Sequence, residues 1–335
     1  MSRLPSDRSF RTELLPSGSR NDAGLAARVR RLIGAGAVGA GVFALVLGSA
    51  YAQDAKPRPV IDSAPRKVAF GKAVVIRGHL DHGTDGDRVS LQRSTSGVWR
   101  DVRTAAVDDD LRVRFRIKGM RKSSGYRLVY AGGSSDAPAA DSATRPRSDG
   151  IRVRVKPRLT LQVRPARVMA GQVVRVNGVL RPHEPGRRVT VKRRTTGGWG
   201  RIARPRVHDG RYSARFKPED SSRSRVKVVF GGDATNTGAR RKRRLIVYRP
   251  EFATWYGPGL YGNRTACGRT LGYETLGVAH RSLPCGTKVG ILYRGRTITV
   301  PVIDRGPYGS AEWDLTRGTA ARLGFTGRGT VGTVH

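Results

Sequence analysis

Acidic side chains are scarce in this chain. It carries 25 Asp and Glu against 64 Lys and Arg, a formal net charge of +39 and a pI near 11.6. So basic a protein works among polyanions: nucleic acid, anionic lipid or an acidic wall polymer. Methionine is almost missing, with three residues, and the hydrophobic fraction is only 38%. That is enough for small cores and excludes one large core. Against these shortages stand 43 Gly and 18 Pro, which favour short strands and turns over long helices. A length of 335 residues allows one to three domains.

Cysteine is nearly absent too. Cys267 and Cys285 are the only two, and no nearby His or Cys completes a four-ligand metal site, so no metal and no cofactor is expected. In an exported chain such an isolated pair most simply forms a disulfide. Closing that loop would stabilise by about 3 kcal/mol in the entropic model.

Long apolar runs are missing except near the start. Residues 1–26 read as a disordered, basic leader. Over residues 27–52, Arg28, Arg30 and Arg31 precede an apolar run from Leu32 to Gly48, and Ala50-Tyr51-Ala52 follows. Basic, apolar, small is the order of a secretory signal, with cleavage expected after Ala52. The other reading is an uncleaved anchor, since the run just reaches spanning length. Either way the expectation is a secreted or wall-located protein. It touches membrane only through this segment and does not bind nucleic acid.

Residues 53–65 read as a polar linker. A repeat with a period of about 100 residues follows. Phe70-Gly71-Lys72 answers Ala170-Gly171-Gln172, Gly78-His79-Leu80 answers Gly178-Val179-Leu180, and Trp99 answers Trp199. Several matches at one offset indicate duplication. Arg112 to Lys118 and Ile151 to Lys156 alternate with period two, which places one face inward and one in solvent. Short strands separated by turn signals predict two tandem immunoglobulin-like β-sandwiches, over 66–156 and 157–249. Trp99 and Trp199 are expected as core anchors. The outward partners are mostly Arg and Lys, densest at Arg240 to Arg244. They read either as a grip on teichoic acids or other anionic wall polymers, or as a solvated face.

From Phe252 the texture changes. Residues 251–335 hold ten basic and five acidic side chains. Ala253-Thr254-Trp255-Tyr256-Gly257 opens the region. Thr265-Ala266-Cys267-Gly268 and Leu276-Gly277-Val278-Ala279-His280 follow, then Val302-Ile303-Asp304-Arg305-Gly306-Pro307 and Trp313-Asp314-Leu315-Thr316. This ordered set resembles the RlpA-like double-psi β-barrel, the domain of rare lipoprotein A and its relatives, over residues 252–335. Strands are expected near 253–257, 276–280, 288–293, 296–303 and 329–334, with a helix from Leu315 to Leu323 stopped at Gly324. The fold expected is therefore mainly β, two sandwiches followed by a small barrel.

The resemblance implies lytic transglycosylase action on peptidoglycan glycan strands. Such cleavage needs a proton for the glycosidic oxygen and a base for the muramic acid hydroxyl. One carboxyl can serve both in turn if its surroundings raise its pKa. The family's acidic positions fall on Asp304 and Asp314. Asp304 ranks first as acid/base, with turn capping as the other reading; Asp314 is either a substrate-facing acid or a helix cap. His280 is a candidate partner for Asp304 or substrate. Arg305 is a candidate substrate contact that would lower the Asp304 pKa if the side chains meet. Trp255, Tyr256, Tyr261, Tyr308 and Trp313 are candidate sugar-stacking residues. Catalytic members of the family commonly carry a Glu where this chain has Arg269. That departure keeps two alternatives open: a non-catalytic, expansin-like binding module, and a structural wall protein held by its basic sandwiches.

Overall fold

A computed structural model describes residues 56–133 and 144–335. The expected leader and the basic, apolar, small segment lie outside the described residues, as does the start of the expected linker. Among the described residues no helix is long and apolar enough to cross a membrane.

The first sandwich pairs a sheet of Arg58–Ser63, Val74–Asp81 and Arg112–Ile117 with a second sheet. The second runs Lys67–Ala69, Ile151–Lys156, Ser124–Gly132, Arg88–Ser94 and Trp99–Ala106. Alternation explains the packing: in Arg112–Ile117, Val113 and Phe115 are buried while the Arg side chains between them are exposed. Ile76, Leu91, Tyr126 and Val153 complete the core from the facing strands. Residues 58–63 were expected as linker. They instead form a strand antiparallel to Val74–Asp81, because Pro59 is buried and Val60 and Ile61 are half-buried there, with Ile61 packed against the core.

The second sandwich repeats the plan. One sheet holds Gln162–Arg164, Val174–Arg181 and Arg211–Phe216; the other holds Gly198–Ala203, Thr190–Thr195, Ser222–Phe230 and Ala239–Tyr256. The repeated glycines have a shared cause. A Cβ on Gly78 would collide with the Val60 carbonyl, and one on Gly178 with the Thr160 carbonyl. Gly178→Ala is therefore expected to cost about 1–3 kcal/mol, as overpacking does, read as a lower urea midpoint. An unchanged midpoint would contradict the close approach.

The two Trp residues are not core anchors. Neither belongs to the apolar core of its sandwich. Trp99 lies half-buried under the Arg127 guanidinium, 4.4 Å from the ring centre, and Trp199 lies under Lys227 at 3.9 Å. Each ring lies outside a core already filled by other side chains and makes a cation–π contact there instead.

The sandwiches are joined by polar contacts. Arg187, almost fully buried, bonds to Asp233, Thr235 and Asn236. That loop then docks on the first sandwich through Ser123 N to Thr235 O and Thr237 N to Val155 O. The second sandwich meets the C-terminal domain without a linker. Ala239–Tyr256 is one 18-residue strand whose first part closes the sandwich sheet and whose last part enters the barrel. Tyr248, Leu292 and Val334 seal the junction.

The barrel closes in the order Ala239–Tyr256, Trp313–Thr316, Val278–Ala279, Arg296–Asp304, Lys288–Tyr293, Gly329–Val334 and back to Ala239–Tyr256. Closure leaves no open edge. Val278, Ile291, Val300, Val302 and Leu315 fill it. The helix spans Arg317–Leu323. Thr316 caps its start by accepting from the Thr319 amide, and Gly324 ends it in the left-handed region at φ 67°. The expected stop at Gly324 is therefore present. Asp314 is not the cap; it lies in the preceding strand, Trp313–Thr316.

Candidate active site

The barrel end carries a row of polar side chains set by strand register. Ala279 pairs with Asp304 on one side and with Asp314 on the other, and Asp314 pairs in turn with Thr254. The two carboxylates thus lie two strand spacings apart, about 9.5 Å at Cα. Alternation alone would place Asp304 on the same face as Val300 and Val302, which line the core. A register shift between Val278 and Ala279 leaves Ile303 unpaired and aligns Asp304 with Ala279 instead. The irregularity sets Asp304, through Ala279, in one row with Asp314, as bulges at site rims can do.

Each acid has its own surroundings. Asp304 is half-exposed, and its Oδ1 accepts from the amides of Ala266 and Arg305, both at 2.9 Å. Asp314 Oδ1 accepts from the Thr254 hydroxyl at 2.8 Å. Burial pushes the Asp314 carboxyl above its ordinary range; the Thr254 hydroxyl opposes this and the Asp304 charge reinforces it. Tyr256 feels both acids. Burial raises its phenol far above the usual range, and the charges of Asp304 and Asp314 add to the effect. Its buried hydroxyl makes no hydrogen bond of normal geometry, so it faces Asp304 as an unspent donor.

The Cys267–Cys285 disulfide is formed, with Cα atoms 5.7 Å apart. It ties the loop carrying Ala266 to the loop after His280. Arg305 serves that second loop. Its Nη1 donates to Leu283 O at 2.8 Å and to His280 O at 3.3 Å, and only its backbone amide reaches Asp304. The two side chains do not meet, because the guanidinium is spent on the loop carbonyls.

His280 is 8% exposed. Its Nδ1 accepts from the amides of Ser282 and Leu283, and its Nε2 lies 3.4 Å from Glu312. Burial lowers its pKa. Both ring nitrogens are thus engaged away from the Asp304 side chain, whose only link to this residue is a backbone bond. Trp313 is 1% exposed, packs tilted against His280 with ring centres 4.4 Å apart and donates from Nε1 to Glu251. It is a core residue and offers no face to a sugar. Trp255 packs partly against the core.

Two expected aromatics remain available. Tyr308 is 85% exposed. Tyr261 packs at 5.6 Å against Tyr273. Sequence reasoning missed Tyr273, an exposed ring covered on one side by Arg317. Its neighbours in Gly272-Tyr273-Glu274 could have signalled a loop-borne aromatic. Thr254 and the Ala266 amide were missed as well, since each meets its acid only through the fold. Arg269, at the family's Glu position, is exposed; Glu274 pairs with Arg317 and does not replace the missing acid.

A family model described as lytic transglycolase matches residues 252–334. Among curated relatives, a probable endolytic peptidoglycan transglycosylase RlpA from Synechocystis is 44% identical over 86 residues, 25% of this chain and 26% of that protein. An endolytic peptidoglycan transglycosylase RlpA from Campylobacter jejuni is 41% identical over 82 residues, 24% of this chain and 30% of the relative. A probable RlpA from Aquifex aeolicus is 37% identical over 97 residues, 28% and 43% of the two chains. This chain therefore spans less than half the length of each. A solved tetra-tandem repeat from the extending region of a large adhesion protein aligns with 82% of this chain and 73% of its own, at 11% identity and a TM-score of 0.31.

Proposed function

We propose, from a C-terminal domain that is an RlpA-like double-psi β-barrel, that this protein is exported to the cell envelope and cuts peptidoglycan glycan strands by lytic transglycosylation. The observation that carries the reading is the pair of unlike carboxyls in one rim row. Asp314, raised by burial, supplies the proton to the glycosidic oxygen as the C1–O bond breaks. The muramic acid C6 hydroxyl attacks C1, and its proton passes to Asp304, whose Oδ2 neither amide takes. A 1,6-anhydro end forms and no water is consumed. The sequence alone ranked Asp304 for both steps; burial favours dividing them. Tyr308, Tyr261 and Tyr273 are the proposed sugar platforms, and the basic sandwiches the proposed hold on anionic wall polymers.

One observation favours a second reading. Arg269 stands where the family commonly has Glu, which fits a barrel that binds and loosens glycan without cutting it. Incubating the full-length protein with purified sacculi separates the two. The proposal expects soluble muropeptides with anhydro ends. Binding without release would select the loosening reading, and absence of both would remove peptidoglycan as the substrate.

A further inference from the structure

The outer face of the second sandwich carries cations in register. Arg201 pairs with Lys192, Lys192 with Lys227, and Lys227 with Lys242, a single row across four strands. Neighbouring strands are about 4.8 Å apart, and like charges directly opposite destabilise a sheet. Arg194 and Arg240 flank the row. Burial first, then the charges of Lys192, Lys242, Arg240 and Arg194, hold the Lys227 ammonium below its ordinary range. Lys227 and Lys242 both lie over the Trp199 ring, at 3.9 and 5.5 Å. Among the described residues none of these six cations is in an ion pair.

The first sandwich is an internal control. One hundred residues earlier the same row reads Asp101, Gln92, Arg127. Arg127 covers Trp99 as Lys227 covers Trp199. It also donates from Nε to Gln92 at 2.8 Å, and Asp101 accepts from Ser90 at 2.6 Å. Across these three positions the charges cancel and each side chain has a hydrogen-bond partner. The fold keeps its Trp–cation pair without the extra charges, so the cations of the second sandwich are not required for folding.

We propose that this face binds a linear polyphosphodiester laid across the strands, successive phosphates meeting successive cations. A regular line of charge fits a polymer with one anion per backbone repeat. A flat bilayer meets a twisted sheet at few points, and the face has no projecting element to enter a duplex groove. The partner's place in the wall rests on the reading above; the binding chemistry does not, and it is independent of cleavage.

The test titrates the full-length protein with poly(glycerol phosphate) at several salt concentrations. The variant Lys192→Gln, Arg201→Asp, Lys242→Gln gives the second row the character of the first. Its affinity should fall at least about tenfold, and the slope of log K against log salt should flatten by about 2, some 0.7 for each lost contact. Its unfolding midpoint should hold or rise, because repulsion is relieved. Gln92→Lys with Asp101→Arg should strengthen binding through the first sandwich. Unchanged affinity and slope in the triple variant would overturn the proposal. Tighter binding to phosphatidylglycerol vesicles or duplex DNA than to the polymer, at equal phosphate, would overturn the assigned partner. Loss of polymer binding with anhydro products retained separates this face from the barrel's chemistry.

Discussion

Asp314→Asn is expected to lower the release of anhydro-ended fragments by about 10²–10⁴-fold, the range for losing a general acid, while raising stability at neutral pH. The two effects share a cause. Burial raises the Asp314 carboxyl above its ordinary value, so the folded state holds this proton more tightly than the unfolded state. The resulting stability is fully present below the unfolded pKa, about 3.9, and is lost as pH rises through the folded value. Asn does not ionise and escapes that loss, and its side-chain oxygen can still accept from Thr254. Thermal unfolding across pH should therefore show the variant ahead at pH 7, with the gap closing on acidification. Asp304→Asn removes the reinforcing charge and should move the Asp314 titration, followed by carboxyl NMR, to lower pH. A variant at Asp314 with full activity would end its role as proton donor.

Breaking the Cys267–Cys285 bond is the second large effect. The bond closes a loop of 18 residues, worth about 3 kcal/mol in the entropic model. It also holds the segment that presents the Ala266 amide to Asp304 and lies 3.4 Å from the Arg305 guanidinium. Reductant should lower the urea midpoint and stop product release together. The Cys267→Ser, Cys285→Ser double variant should match the reduced protein and ignore reductant. A midpoint unmoved by reductant would mean the loop is held by its hydrogen bonds alone.

What could be read in the sequence was local. The barrel's motifs are contiguous, and Gly324 marks the helix end because only a residue tolerant of positive φ suits that position. The strict alternation of Arg112–Ile117 gave its buried face directly. What escaped depends on partners far along the chain. Trp313 looks like a sugar platform until Glu251, 62 residues earlier, is found bonded to its indole. Trp313–Thr316 is four residues long, too short to declare a strand by pattern. The shift that sets Asp304 in one row with Asp314 exists only in the pairing of Arg296–Asp304 with Val278–Ala279. The run Arg240 to Arg244 stood out as a patch. The cation row did not, because Lys192, Arg201, Lys227 and Lys242 come from four separate strands.

If the sugar's own hydroxyl, not water, attacks at the rim row, no oxygen from water enters the product. The most direct measurement digests sacculi in ¹⁸O-labelled water and weighs the new glycan ends. Anhydro ends free of label, formed by wild type and lost in Asp314→Asn, are the expected result. Reducing ends carrying one ¹⁸O would mean hydrolysis and would contradict it.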